Sequence, residues 1–102
     1  MYKNEVKNII EEVYPFIQAY YGKSKFNGEA PKVDYHHSIW ARITGVHNAE
    51  GDFYPAADFE RETNTIWIYY PEAVNEKWVI QTLIHEYTHY LQDGDEMKRL
   101  YD

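Results

Sequence analysis

Apolar side chains recur at steps of three and four residues near the start of the chain, at Val6, Ile9, Ile10, Val13, Ile17 and Tyr20. This spacing is typical of one face of an amphipathic helix. Pro15 lies inside the pattern. Because it lacks an N–H and crowds the preceding turn, it predicts a kink or a break after Tyr14. Gly22 is expected to end the helix.

The pattern changes from helical to strand-like in the middle of the chain. Residues 23–31 are polar, contain Gly28 and Pro31, and are expected to form a loop. Residues 39–44 and 65–70 are rich in β-branched and aromatic side chains, which predicts two strands. Residues 57–62 are expected to pair with 65–70 through a tight turn, and Pro71 to end the sheet.

A helix is predicted to begin after Asn75, a suitable N-cap, and to end near Asp93, before Gly94. Its apolar stripe consists of Ile80, Leu83, Ile84, Tyr87 and Leu91, opposite a face that carries Trp78, Thr82, His85 and His89. Residues 97–101 are expected to begin another helix. Because helical and strand-like patterns are segregated, we predict an α+β fold: an N-terminal helix, a small, mostly antiparallel sheet over residues 32–70, and the histidine-bearing helix.

The composition favours one domain spanning residues 1–102, with 44% apolar and 18% aromatic residues available for a core. The formal net charge of -7 argues against nucleic acid or an anionic membrane surface as the partner. The absence of cysteine excludes disulfides and thiolate metal ligands. Because the N-terminus is polar and no segment reaches membrane-spanning length, we expect a cytoplasmic protein.

The chemistry of the chain is concentrated in His85-Glu86-Tyr87-Thr88-His89. Residues four apart on a helix lie about 40° apart on one face, so the imidazoles of His85 and His89 can reach one zinc ion. Glu86 lies on the flank of that face, where its carboxylate can accept a proton from a water bound to the metal. The alternative is two exposed histidines and an ordinary glutamate on a surface helix.

Two segments resemble those of a known family. They are residues 65–71, Thr-Ile-Trp-Ile-Tyr-Tyr-Pro, and residues 83–92, Leu-Ile-His-Glu-Tyr-Thr-His-Tyr-Leu-Gln. Over about residues 55–100 the chain resembles the small single-domain zincin metallopeptidases of the gluzincin type, short proteins of archaea and tailed phages. The resemblance implies a strand over the active-site helix, with substrate bound antiparallel to that strand. It also implies a third metal ligand from a glutamate on a later helix.

The sequence reaches Asp102 without a complete later helix that carries such a glutamate, so we expect a third ligand from elsewhere, a shortened form of the chain, or an incomplete site. The alternatives are a neighbouring molecule or one of Asp93, Asp95, Glu96, His36, His37 and His47. Two imidazoles hold zinc poorly compared with three protein ligands, which predicts weak, chelator-labile zinc and low activity.

We therefore expect a zinc-dependent metallopeptidase that hydrolyses peptide or protein substrates, with His85 and His89 as metal ligands and Glu86 as the catalytic base. The alternative is a non-catalytic zincin-like module that binds a protein partner, with a structural metal or none. The sequence does not predict the oligomeric state.

Overall fold

The computed structural model describes residues 1–95. The elements in chain order are helix α1 (Lys3–Tyr21), strand β1 (Lys32–His36), helix α2 (Ile39–Thr44), strand β2 (Ala57–Glu60), strand β3 (Thr65–Tyr69), a 3₁₀ turn (Tyr70–Glu72) and helix α3 (Glu76–Leu91). The predicted α+β class is confirmed. In the part of the chain that is described, no helix combines the length and the apolar character needed to cross a bilayer. The helix expected over residues 97–101 lies outside the described residues.

The three strands form one sheet in the order β1-β3-β2. β2 and β3 make the expected antiparallel hairpin, with Ala57 opposite Ile68 and Glu60 opposite Thr65. Asn64 in the connecting turn has a φ of 51°, a conformation that asparagine tolerates better than most residues. β1 pairs parallel to β3, so the sheet is mixed instead of mostly antiparallel.

Residues 39–44 form helix α2, and the prediction of a strand there was wrong. The helix is capped at both ends: Ser38 Oγ accepts the N–H of Ala41 at 3.0 Å, and Gly45, with a φ of 75°, closes the other end. These caps satisfy backbone groups that an isolated turn leaves open, and they outweigh the β propensity of the isoleucines and the tryptophan.

Helix α1 is not divided at Pro15, contrary to the predicted break; it continues to Tyr21. Val6, Ile10 and Ile17 are buried on one face on both sides of the proline. Packing of this continuous face compensates for the hydrogen bond that the proline cannot donate. The expected end is confirmed, since Gly22 at a φ of 76° donates its N–H to the carbonyl of Gln18 at 2.8 Å.

Helix α3 packs with α1 against one face of the sheet and begins at the predicted cap, where Asn75 accepts the N–H of Trp78 at 2.8 Å. It ends at Leu91, two residues before the expected Asp93. Its buried side chains are Val79, Leu83, Glu86, Tyr87 and Tyr90, whereas Ile80, Ile84 and Leu91 are half-buried at the margin. The tyrosines belong to the core because their hydroxyls find backbone partners, Tyr87 donating to the Gly22 carbonyl at 2.6 Å.

The other face of the sheet is organised around Arg42 of α2. Its guanidinium binds Asp58 at 2.9 Å and Glu60 at 3.0 Å, both on β2, and the hydroxyl of Tyr69 at 3.0 Å. It also lies 5.0 Å from the ring of Trp67. These contacts tie α2 to β2 and β3 and hold the edge strand β2 in place.

Candidate metal centre

The side chains of His85 and His89 meet one turn apart on α3. Their Nε2 atoms are 3.2 Å apart and their ring centroids 4.8 Å apart. Two nitrogens bound to one tetrahedral zinc at about 2.0–2.1 Å lie about 3.3 Å apart, so the observed separation fits a shared cation without rearrangement. His85 is exposed and His89 is half-buried, which leaves the pair accessible to an ion.

Glu86 joins the two histidines in one cluster. A carboxylate oxygen of Glu86 and one ring nitrogen of each histidine all lie within 4.8 Å of one another. Two imidazoles and a carboxylate are donors that zinc and several other divalent metals accept. These three side chains could therefore hold a metal ion, and the predicted residues are brought together.

Burial changes the acidity of Glu86. Only 7% of the residue is exposed, and the loss of solvent, with a smaller contribution from the negative charge of Asp58, raises its pKa to about 7. Burial acts this way because it penalises the charged carboxylate. A cation between the histidines would oppose both effects and favour the ionised form.

Gln92, which the sequence argument overlooked, orients one of the histidines. Its Oε1 lies 3.3 Å from Nδ1 of His89, and the two form a hydrogen bond in the tautomer that carries the proton on Nδ1. The Nε2 lone pair of His89 is then directed at His85 and is free to bind a metal. The only sequence signal was the position of Gln92, three residues after His89, at the end of the helix.

Arg61, the second overlooked residue, holds the end of α3 on which His89 lies. Its guanidinium donates to the carbonyls of His89 at 3.2 Å and Gln92 at 3.3 Å. A cation at the C-terminus of a helix also opposes the negative end of the helix dipole. The sequence placed Arg61 in the expected strand 57–62 and gave no signal of its contact with α3.

A cleft runs between α3 and β2 on both sides of Glu86. One cavity, of about 380 Å³, is lined by Ala56, Ala57, Gln81, Thr82, His85 and Glu86. The other, of about 250 Å³, is lined by Asp58, Phe59, Arg61, Glu86 and His89. Thr82 lines the cleft as predicted, whereas Trp78 packs against the core. Glu86 thus lies where the two cavities adjoin.

The sheet offers one strand edge beside this cleft. β3, which contains residues 65–69, is the central strand, and both of its edges are already paired. A peptide therefore cannot add to β3. β2 has one unpaired edge in the described sheet, because the hairpin places it outermost. β2 also lies against α3.

The third metal ligand is not found among the described candidates. Within residues 1–95 the cluster consists of His85, Glu86 and His89, without Asp93 or Asp95. Glu96 lies outside the described residues. The remaining candidates, His36, His37 and His47, line a different cavity together with Tyr35 and Tyr70. The sheet histidines therefore do not complete this site.

Comparison of the chain with protein-family models, with curated proteins and with solved structures finds no match. The zincin resemblance is therefore carried by the motif residues and their geometry alone.

Proposed function

We propose that this protein is a zinc-dependent peptidase in which His85 and His89 bind the metal and Glu86 acts as general base. The observation that carries the proposal is the 3.2 Å separation of the two Nε2 atoms beside a buried carboxylate. The arrangement lies in a cleft next to the unpaired edge of β2. Metal ligands, a base and a place for an extended chain are the parts that peptide hydrolysis requires.

Glu86 is suited to move the proton. A carboxylate oxygen of Glu86, which a cation bound at the histidines would keep ionised, can accept a proton from the attacking water. The same oxygen can then pass the proton to the leaving amine as the C–N bond breaks. Zinc bound at the histidines would supply Lewis acidity toward the scissile carbonyl.

The edge of β2 is suited to bind the substrate. An extended peptide can add to an unpaired strand edge through main-chain hydrogen bonds, which makes binding largely independent of side-chain identity. The two cavities beside Glu86 would then receive side chains on either side of the cleaved bond. Asp58 and Arg61 place one charge of each sign at the smaller cavity.

A specific observation also supports a second candidate, a non-catalytic module. If Glu86 itself ligates the metal, the described cluster supplies three protein ligands and leaves no free base. The metal would then stabilise the fold, and the cleft would bind a protein partner without cleaving it.

Replacement of Glu86 by glutamine separates the two candidates. For a peptidase, Glu86→Gln should keep its zinc content and lose turnover by about 10²–10⁴-fold on a mixed peptide library. Glu76→Gln is the matched control, an exposed glutamate in the first turn of the same helix, and should match the parent. Zinc loss from Glu86→Gln, or a zinc-loaded parent that cleaves no peptide, would favour the binding module.

A further inference from the structure

A third cavity, of about 320 Å³, lies away from the metal cluster. It is formed where the start of α1, the end of β1 and the segments after α2 and β3 come together. Its polar lining consists of Lys3, Tyr35, His36, His37, His47 and Tyr70. Three of the five histidines of the chain are therefore gathered in one place by segments that are distant in the sequence.

The charge of this lining is opposite in sign to that of the protein. The chain has 17 acidic and 10 basic residues, yet the described lining contains no carboxylate. Two carboxylates lie near enough to act on Tyr35, Glu11 from α1 and Asp34 from β1. Burial first, and these charges second, raise the pKa of Tyr35 to about 12. Its hydroxyl therefore stays protonated and remains a donor.

The polar side chains of the lining have no hydrogen-bond or ion-pair partners among the described residues. Among residues 1–95, none of the six side chains takes part in a hydrogen bond or an ion pair. The rings of His37 and His47 are 4.7 Å apart, and Tyr70 meets His37 edge to face at 6.2 Å. The cavity is thus surrounded by hydrogen-bond donors of one ammonium group, three imidazoles and two phenols, and none of them is used within the described residues.

These donors suit an anion better than a metal ion. Across the described residues, only His85, Glu86 and His89 come close enough for three ligand atoms to share one cation. The three histidines of the cavity do not converge in that way. Their N–H groups, the tyrosine hydroxyls and the lysine can instead donate to several oxygens of one ligand from different directions.

We propose that this cavity binds a small phosphate-bearing anion. A phosphate group offers several acceptor oxygens, and a cavity of about 320 Å³ is in the range that holds small molecules larger than one phosphate. Histidine gains positive charge in mildly acidic solution, so binding should strengthen there. The other charged groups at the cavity are Lys3 in its lining and Glu11 and Asp34 near Tyr35. The site is separate from the metal cluster and is independent of the peptidase proposal.

Pyrophosphate is the probe, titrated by calorimetry into full-length protein that a chelator has freed of metal. We expect saturable one-to-one binding at about pH 6, where histidine is largely protonated. The double variant His37→Gln/His47→Gln should bind at least about tenfold more weakly, since each charge-assisted hydrogen bond is worth about that factor or more. Lys3→Gln should weaken binding, whereas Lys77→Gln, the same change at an exposed lysine of α3, should not.

The pH dependence is measured with sulfate, whose charge is constant over this range. Its affinity should be several-fold higher at about pH 5.5 than at about pH 7.5, because a charged imidazole donates more strongly to an anion than a neutral one. Equal affinity at both pH values would contradict a role for the histidines.

Amide shifts in the NMR spectrum of the parent locate the ligand even if a variant fails to fold. Pyrophosphate should move the signals of Lys3, His36, His37 and His47 and leave those of His85 and His89 unchanged. Absence of saturation, parent-like binding by the folded double variant, or shifts confined to α3 would each overturn the proposal.

Discussion

Two pairs of histidines in this protein have nearly the same spacing and very different surroundings. The ring centroids are 4.8 Å apart for His85 and His89, and 4.7 Å apart for His37 and His47. The first pair lies beside the buried carboxylate of Glu86, whereas the described surroundings of the second pair contain Lys3 and tyrosines. Ring separation alone therefore does not decide what a histidine pair binds; the charge around it does.

The two pairs also differ in what holds them. His85 and His89 lie on one helix that is capped by Asn75 and anchored by a buried core face. His37 and His47 lie on segments outside the helices and strands, before and after α2. The first pair thus owes its geometry to one regular element, and the second to the packing of several segments.

The largest expected effect is on zinc affinity, when each pair of histidines is removed in turn. His85→Ala/His89→Ala should lower zinc affinity by about two or more orders of magnitude, because two of the ligands are lost. His37→Ala/His47→Ala should leave it within about twofold of the parent. Calorimetric titration with zinc measures both. Equal affinity of the first variant and the parent would disprove the site on α3.

The next largest effect is on the free energy of unfolding, when a core side chain behind His85 and His89 is shortened. Leu83 is fully buried on α3, so Leu83→Ala should lower the free energy of unfolding by about 2–5 kcal/mol. Urea denaturation followed by circular dichroism measures this. Ile43→Ala is a control on an exposed side chain of α2 and should cost under about 1 kcal/mol. Similar costs for the two would mean that α3 does not anchor its histidines through the core.

The charge of Glu86 should appear as a dependence of stability on pH. Its pKa is raised from 4.5 to about 7 in the folded protein, so the folded state keeps the proton up to a higher pH than the unfolded state does. Stability should therefore fall as the pH rises from about 4.5 to about 7, and level off above that. Relative to Glu86→Gln, which has no group to titrate, the metal-free parent should lose about 1–3 kcal/mol across this window.

Denaturation of both proteins at several pH values in the presence of a chelator tests this. Parallel pH profiles for the parent and Glu86→Gln would show that Glu86 titrates normally. Addition of zinc should reduce the difference, since the cation favours the ionised carboxylate.

The smallest effect concerns the cap of the histidine-bearing helix. Asn75→Ala removes the oxygen that accepts the N–H of Trp78 and should destabilise the fold by about 1 kcal/mol. Asn75→Asp keeps the acceptor and should be close to the parent. Zinc affinity should be unchanged, because the cap is nearly three turns from His85. A large loss of affinity would mean that the site depends on the register of the whole helix.

Local signals in the sequence predicted several elements correctly. Gly22, Asn75 and the turn before Thr65 mark ends of elements through backbone chemistry that neighbouring residues supply. The errors arose where packing or capping overrides a local preference. Pro15 is accommodated in a helix with a continuous buried face, and residues 39–44 form a helix because both ends are capped.

The sequence by itself determined the meeting of His85, Glu86 and His89, because residues one turn apart are neighbours in any α-helix. The tertiary structure decided that Glu86 is buried beside Asp58, since that depends on β2 lying against α3. It also decided which strand has an unpaired edge, and that three histidines line a cavity with Lys3. These features join residues far apart in the chain, whose proximity follows from strand pairing and core packing that no local pattern encodes.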